Sequence, residues 1–143
     1  MISTFLAGCG LTGEEVGRIE IDQLSTAENI QPKYVEFELN KGDVLNYWTE
    51  LDIEFDGNLL LEYQVELVLG EKSMGVISLN PFEKDITIGE LKTSIMNKTK
   101  WRFSGRMANF DISESGNYKF NAILMSNGNE SLRVNRAALV FKK

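Results

Sequence analysis

The chain has 143 residues, a length that suits one domain able to bury about 68–70% of its unfolded surface without covalent staples. Its 43% hydrophobic and 25% charged content is ordinary for a globular protein, and no apolar run approaches the roughly 18 residues that span a bilayer. A formal charge of −6 argues against nucleic acid or an anionic membrane surface as a partner, since both select basic surfaces, and a single cysteine gives no disulfide framework.

Residues 10–33 are weakly patterned. Val16, Ile19, Ile21 and Leu24 fit a short strand or a poor helix, and the segment reads as a linker that partly packs on a domain spanning 34–143. From Tyr34 the pattern sharpens. In Val35-Glu36-Phe37-Glu38-Leu39 the apolar residues fall on odd numbers and the carboxylates on even ones, the period of two of a half-buried strand. Asn40-Lys41-Gly42-Asp43 is a turn by composition. Leu45, Tyr47, Leu51, Ile53 and Phe55 keep the parity, opposed by Asn46, Glu50, Asp52 and Glu54. Asp56-Gly57-Asn58 predicts a hairpin, after which Leu59 to Leu69 continues on odd positions against Glu62, Gln64 and Glu66. These three runs read as an antiparallel meander.

Gly70-Glu71-Lys72-Ser73 turns the chain into a short strand, Met74 to Leu79. Between Phe82 and Asn97 the signals conflict: Ile86 and Ile88 suggest a strand, whereas Ile88, Leu91 and Ile95 sit at helical spacings, so the stretch reads as loop with a short strand. From Lys98 the alternation returns, with Trp101, Phe103 and Met107 on the expected core side and Lys98, Lys100, Arg102 and Arg106 opposite. That basic row, with Lys119, either faces an acidic partner or is a solvated strand face that blunts edge pairing. The switch of parity at Phe110 and Ile112 predicts a bulge or break between Met107 and Phe110. Ser126-Asn127-Gly128-Asn129 reads as a further hairpin turn, and Leu132 to Phe141 returns as a strand apolar on both faces.

Ser113-Glu114-Ser115-Gly116-Asn117-Tyr118-Lys119-Phe120 resembles the acidic-x-Gly-x-Tyr-x-Cys corner of immunoglobulin-like domains, with Phe120 where the cysteine would stand. The resemblance implies a sandwich and a Tyr118 hydroxyl that closes back on the corner. Jelly rolls also enter a strand with Gly-x-Tyr-x-Phe. The expectation is therefore an all-β, single antiparallel β-sandwich of about eight strands, jelly-roll or immunoglobulin-like.

Chemistry is bounded by what is missing. With no histidine there is no Ser-His-Asp or Cys-His catalysis, and the commonest ligand for transition metals is lacking. No phosphate loop, dinucleotide fingerprint or Asp-rich calcium loop occurs, so no cofactor and no metal site is expected. Carboxylates remain: Glu36, Glu38, Glu50, Asp52, Glu54, Glu62 and Glu66 share an outward parity, which admits a paired acid and base for glycoside hydrolysis but fits a solvated polar face better. Trp48 is out of phase in its strand. It shares parity with Glu50 and Asp52, which makes Trp48, Glu50 and Asp52 a candidate sugar-stacking site, unless a bulge near Thr49 resets the register and buries the ring. Trp101, in phase with Phe103, is expected in the core.

Leu6-Ala7-Gly8-Cys9 resembles the lipobox of bacterial lipoproteins, in which a peptidase cuts before the cysteine and its thiol receives a diacylglyceryl group. The run before it, Met1 to Leu6, is short and holds no Lys or Arg, so either the chain begins inside a longer signal, with residues 1–9 its final part, or the four residues match by chance; the small, polar start from Gly10 to Glu15 favours the first. The resemblance implies attachment to a membrane of the bacterial cell envelope through lipid on Cys9. Combined with the missing catalytic residues, this gives the leading expectation: a non-catalytic, lipid-anchored binding or accessory module whose partner is a glycan or an envelope protein. The alternatives are a carbohydrate-binding module using an exposed Trp48 and a carboxylate-based hydrolase.

Overall fold

Alternation is what builds this molecule. Residues 13–26 and 28–143, those that the computed structural model describes, form nine strands. In chain order they are β1 (Glu15–Glu20), β2 (Lys33–Leu39), β3 (Val44–Asp56), β4 (Leu61–Leu69), β5 (Lys72–Leu79), β6 (Ile86–Ile95), β7 (Lys98–Asp111), β8 (Gly116–Ser126) and β9 (Arg133–Lys142). A five-stranded sheet, in the order β1-β9-β3-β7-β6, packs on a four-stranded sheet, β2-β8-β4-β5, and every pairing is antiparallel. The β-sandwich read from the sequence is the fold.

The pairing also chooses between the two topologies. β1 pairs with β9, β2 with β8, β3 with β7, and β4 with β5. The chain is thus one long antiparallel ribbon, doubled back at the β4–β5 turn and wound so that successive strands alternate between sheets. That nested pairing is a jelly roll. β6 stands outside the nest, as an extra strand joined to the edge of the five-stranded sheet by its hairpin with β7.

Three expectations change. The meander is absent: β2, β3 and β4 fall in alternate sheets, so Asp56-Gly57-Asn58 arches across the core, and Ser126-Asn127-Gly128-Asn129 does the same between β8 and β9. Turn chemistry is the same for an arch and a hairpin. What separates them is whether the flanking apolar faces lie side by side or face to face. The segment read as a linker supplies β1, with Ile19 and Ile21 buried in the core, because its apolar residues cover the open edge beside β9. The stretch from Phe82 to Asn97 holds a full ten-residue strand, β6.

The core is aromatic at its centre. Phe37, Tyr47, Phe120 and Phe141 interleave from both sheets, with ring centroids 4.6 Å apart for Phe120–Phe141 and 5.0 Å for Phe37–Phe120. Gly17 is what lets β1 close over this cluster, since a Cβ there would lie 2.6 Å from the Phe37 ring. Buried Thr49 and Tyr63 hydrogen-bond to each other at 2.8 Å across the two sheets. Such a bond stabilises mainly by sparing each partner an unsatisfied burial. At the expected corner, Tyr118 Oη donates to the Glu114 carbonyl at 2.6 Å.

Candidate functional site

The acidic and basic rows singled out in the sequence are largely each other's neighbours. Glu54 lies opposite Lys100, Asp52 opposite Arg102 and Asp56 opposite Lys98, all across the β3–β7 ladder. Cross-strand partners on one face sit close enough to interact, and Lys98 Nζ reaches Glu54 Oε1 at 3.8 Å. Lys98, Lys100, Arg102 and Arg106 lie on β7, between β3 and β6, and Lys119 lies on β8 in the other sheet, between β2 and β4, so blunting an edge is not their role. Glu36, Glu38, Glu62 and Glu66 belong to β2 and β4, in the opposite sheet. The seven carboxylates are therefore split between the two outer faces of the sandwich, and no acid–base pair can draw on both groups.

Trp48 is buried, 2% exposed, which removes the exposed stacking platform expected beside Glu50 and Asp52. The register of β3 is not reset: Tyr47, Thr49 and Leu51 keep their places on the buried side. Instead the extra residue is on β7, where Met107 is skipped between the pairs Tyr47–Ala108 and Trp48–Arg106. The indole stays on the outer face and is covered there. It clusters with Ala138 and Val140, and the Lys142 ammonium stands 4.4 Å from its ring centroid. Arg106 lies opposite it in register, and Arg18 is opposite Val140. Long cationic side chains bury their stems on apolar surface while the heads stay wet.

Arg18 fixes that cover. Its guanidinium contacts Glu15 at 3.0 Å, Glu20 at 2.9 Å and Glu50 at 3.0 Å, and Arg136 reaches Glu50 at 2.8 Å. The hydrogen bonds from Arg18 hold the Glu15 and Glu20 carboxyls below the usual carboxylate range. Of the three candidate residues, Glu50 is tied into this network, Asp52 accepts from Asn135 Nδ2 at 3.4 Å, and Trp48 lies beneath it.

The other half of the same outer face is built differently, and sequence reading missed it. β6 carries Ile86, Ile88, Leu91 and Ile95 outward, opposite Arg106, Ser104, Arg102 and Lys98 of β7, and all four are exposed, Ile95 by 74%. Met96 follows at the hairpin tip with a positive φ of 60°. The inner side of β6 is polar. Lys92 sits 4.0 Å from the Trp101 ring centroid, and Glu90 accepts from Trp101 Nε1 at 2.7 Å. Trp101 itself is half-buried rather than core, stacked on Phe82 at 4.9 Å. β6 is thus inside out for an edge strand, with its apolar residues toward solvent.

Three depressions run in series along this strip. One of about 540 Å³ lies at the tip, between Asp56, Ile95, Met96 and Lys98. The next, about 180 Å³, shares Thr93 and Lys100 with it and adds Leu91 and Asp52. The third, about 380 Å³, shares Asp52 and Arg102 with the second and ends at Glu50, Ile88 and Arg136. Together they form a shallow groove with an apolar side on β6 and a charged side on β7 and β3. Two of the residues chosen from sequence, Glu50 and Asp52, line it.

No protein-family model matches the chain, and no curated protein does. The groove is therefore read from its own chemistry. Its open shape and its mixture of aliphatic and charged side chains suit adhesion to an extended molecule. Among the described residues, no three acidic or cysteine side chains converge in a way that could hold a metal ion. Cys9 lies outside the described residues.

Proposed function

We propose that this chain is a non-catalytic binding module of the bacterial cell envelope, tethered by lipid on Cys9, with the β6–β7 groove as its recognition surface. The uncovered apolar row on β6 carries the reading. Exposed apolar residues scattered singly need no explanation, but four on the outer face of one strand, Ile86, Ile88, Leu91 and Ile95, mark an interaction site. The resemblance of Leu6-Ala7-Gly8-Cys9 to a lipobox supports the tether. The polarity of the fold is compatible with both. Glu14 pairs with Lys143 at one pole, where β9 ends, while the groove tip lies where Asp56 meets Lys98, at the far end of β3. Thirteen residues of strand separate the two poles by about 40 Å. A tether entering beside Gly13 leaves the tip facing away from the membrane.

Expressed with its natural upstream reading frame, the protein should incorporate an alkyne-tagged fatty acid, and Cys9→Ala should abolish the label and release the protein to the soluble fraction. A photo-reactive residue at Thr93 should cross-link an envelope component, whereas one at Glu36, on the opposite sheet, should not. Labelling that survives Cys9→Ala would overturn the tether. Equal cross-linking from both positions would overturn the groove.

A further inference from the structure

We infer that the groove binds an extended peptide segment of a partner protein, with apolar side chains along one side and carboxylates along the other. This rests on the groove being the recognition surface and adds the chemistry of its occupant. The first argument is spacing. In an extended peptide, side chains on one side recur every second residue, about 6.5–7 Å apart. The groove has that period on both flanks: Lys100 and Arg102 on β7, and the β6 residues paired across from them, Thr93 and Leu91. An extended segment lying parallel to the strands meets Leu91, Thr93 and Ile95, mainly apolar, with one set of side chains and a basic row with the other.

Charge is the second argument. Among the described residues, Lys100 and Arg102 make no ion pair. The neighbouring acids have other partners: Glu50 is held by Arg18 and Arg136 from the β1–β9 side, Glu54 by Asn135 of β9 and Lys98 of β7, and Asp52 accepts from Asn135. Lys100 and Arg102 stand between those acids and the apolar row, so the free charge nearest the β6 flank is positive.

The third argument excludes two other occupants. Adding a strand to the free edge of β6 is opposed by the bulge between Ile88 and Leu91 and by Lys92 on the inner side, both devices that discourage edge pairing. An acyl chain would lie half in water, because the groove is open along its length and an enclosed cavity is what buries such a ligand. Docking on the face, by an amphipathic extended peptide, meets neither objection.

The test uses the full chain and a fluorescent decapeptide alternating Val and Glu, with a Val/Lys decapeptide as its charge-reversed control, read by fluorescence polarisation. The Val/Glu peptide should bind saturably and about tenfold tighter than Val/Lys, as two exposed ion pairs allow. The double variant Lys100→Glu/Arg102→Glu should invert the preference, and that inversion is itself proof that the variant is folded. Leu91→Ser, which removes apolar surface without adding charge, should weaken both peptides. Equal binding of the two peptides, a preference that the double variant leaves unchanged, no binding of either, or displacement by dodecanoate at concentrations that leave the fold intact would each overturn the inference. If the peptides fail while Thr93 still cross-links an envelope component, the ligand class falls and the groove stands.

Discussion

The outer face of the five-stranded sheet meets one problem twice and answers it in two ways. On the β1–β9–β3 side, apolar Trp48, Ala138 and Val140 point away from the core, yet all three are buried. On the β7–β6 side, Ile86, Ile88, Leu91 and Ile95 also point outward and stay exposed. The difference is not hydrophobicity but what stands beside each cluster. Trp48 is roofed by Lys142 over its ring, and Arg18, locked by three carboxylates, lies opposite Val140 of the same cluster. The β6 row is at an edge with no strand beyond it to supply a roof. An outward apolar residue is structural when neighbouring strands and long side chains cover it and available for binding when they do not.

Stability should follow that division. Trp48→Ala removes a buried ring and should cost about 3–5 kcal/mol, measured by urea denaturation. Trp48→Phe should cost far less, because Trp48 Nε1 is buried without a hydrogen-bond partner and its loss relieves an unsatisfied donor. A Trp48→Ala protein as stable as wild type would place the ring outside the structural half.

Acid should come next in size. Glu15 and Glu20 have lowered folded-state pKa values, so their contribution is fully present above the unfolded value near 4.3 and is lost as pH falls through the folded values. Stability should therefore decline below about pH 5, and Arg18→Met should flatten that acid limb. The carboxylates are 44% and 54% exposed, so screening keeps the effect of Arg18→Met at neutral pH below about 1 kcal/mol. An acid limb identical in wild type and variant would remove Arg18 from the cover.

The smallest effect on stability should come from the groove. Leu91→Ser should shift the unfolding midpoint by less than the equivalent of about 0.5 kcal/mol, while lowering the fluorescence of a hydrophobic dye bound to the native protein. A large destabilisation would make β6 part of the structural half after all.

Which of these features were visible in the sequence follows from how local each one is. Strand existence depends on a period of two, and β2, β3, β4 and β8 show it plainly. The change of parity after Met107 is the trace of a real bulge, found at Met107 itself. Partner choice is not local: β2 pairs with a strand some eighty residues on, and no short window distinguishes that from a meander. β6 was obscured by its own geometry. The bulge between Ile88 and Leu91, with Gly89 at a φ of 64°, moves the outward apolar residues from even to odd positions. That shift created the spacings of three and four that resemble a helix. Trp48 misled for a related reason, since parity reports which side a residue faces and not whether that side is covered.

The ribbon topology also has a consequence for how the chain acquires its structure. β9 is the last of the nine strands along the sequence, yet it lies between β1 and β3, and Ala137 to Phe141 are all buried. As the polypeptide emerges from the ribosome, the five-stranded sheet must hold a gap until Lys142 is made. Proteins dominated by such distant pairings fold slowly, because the loop entropy is lost before the contacts form. A chain ending at Leu132 should show no cooperative unfolding transition, whereas one that includes β9 should show it, as the ninth strand fills the gap.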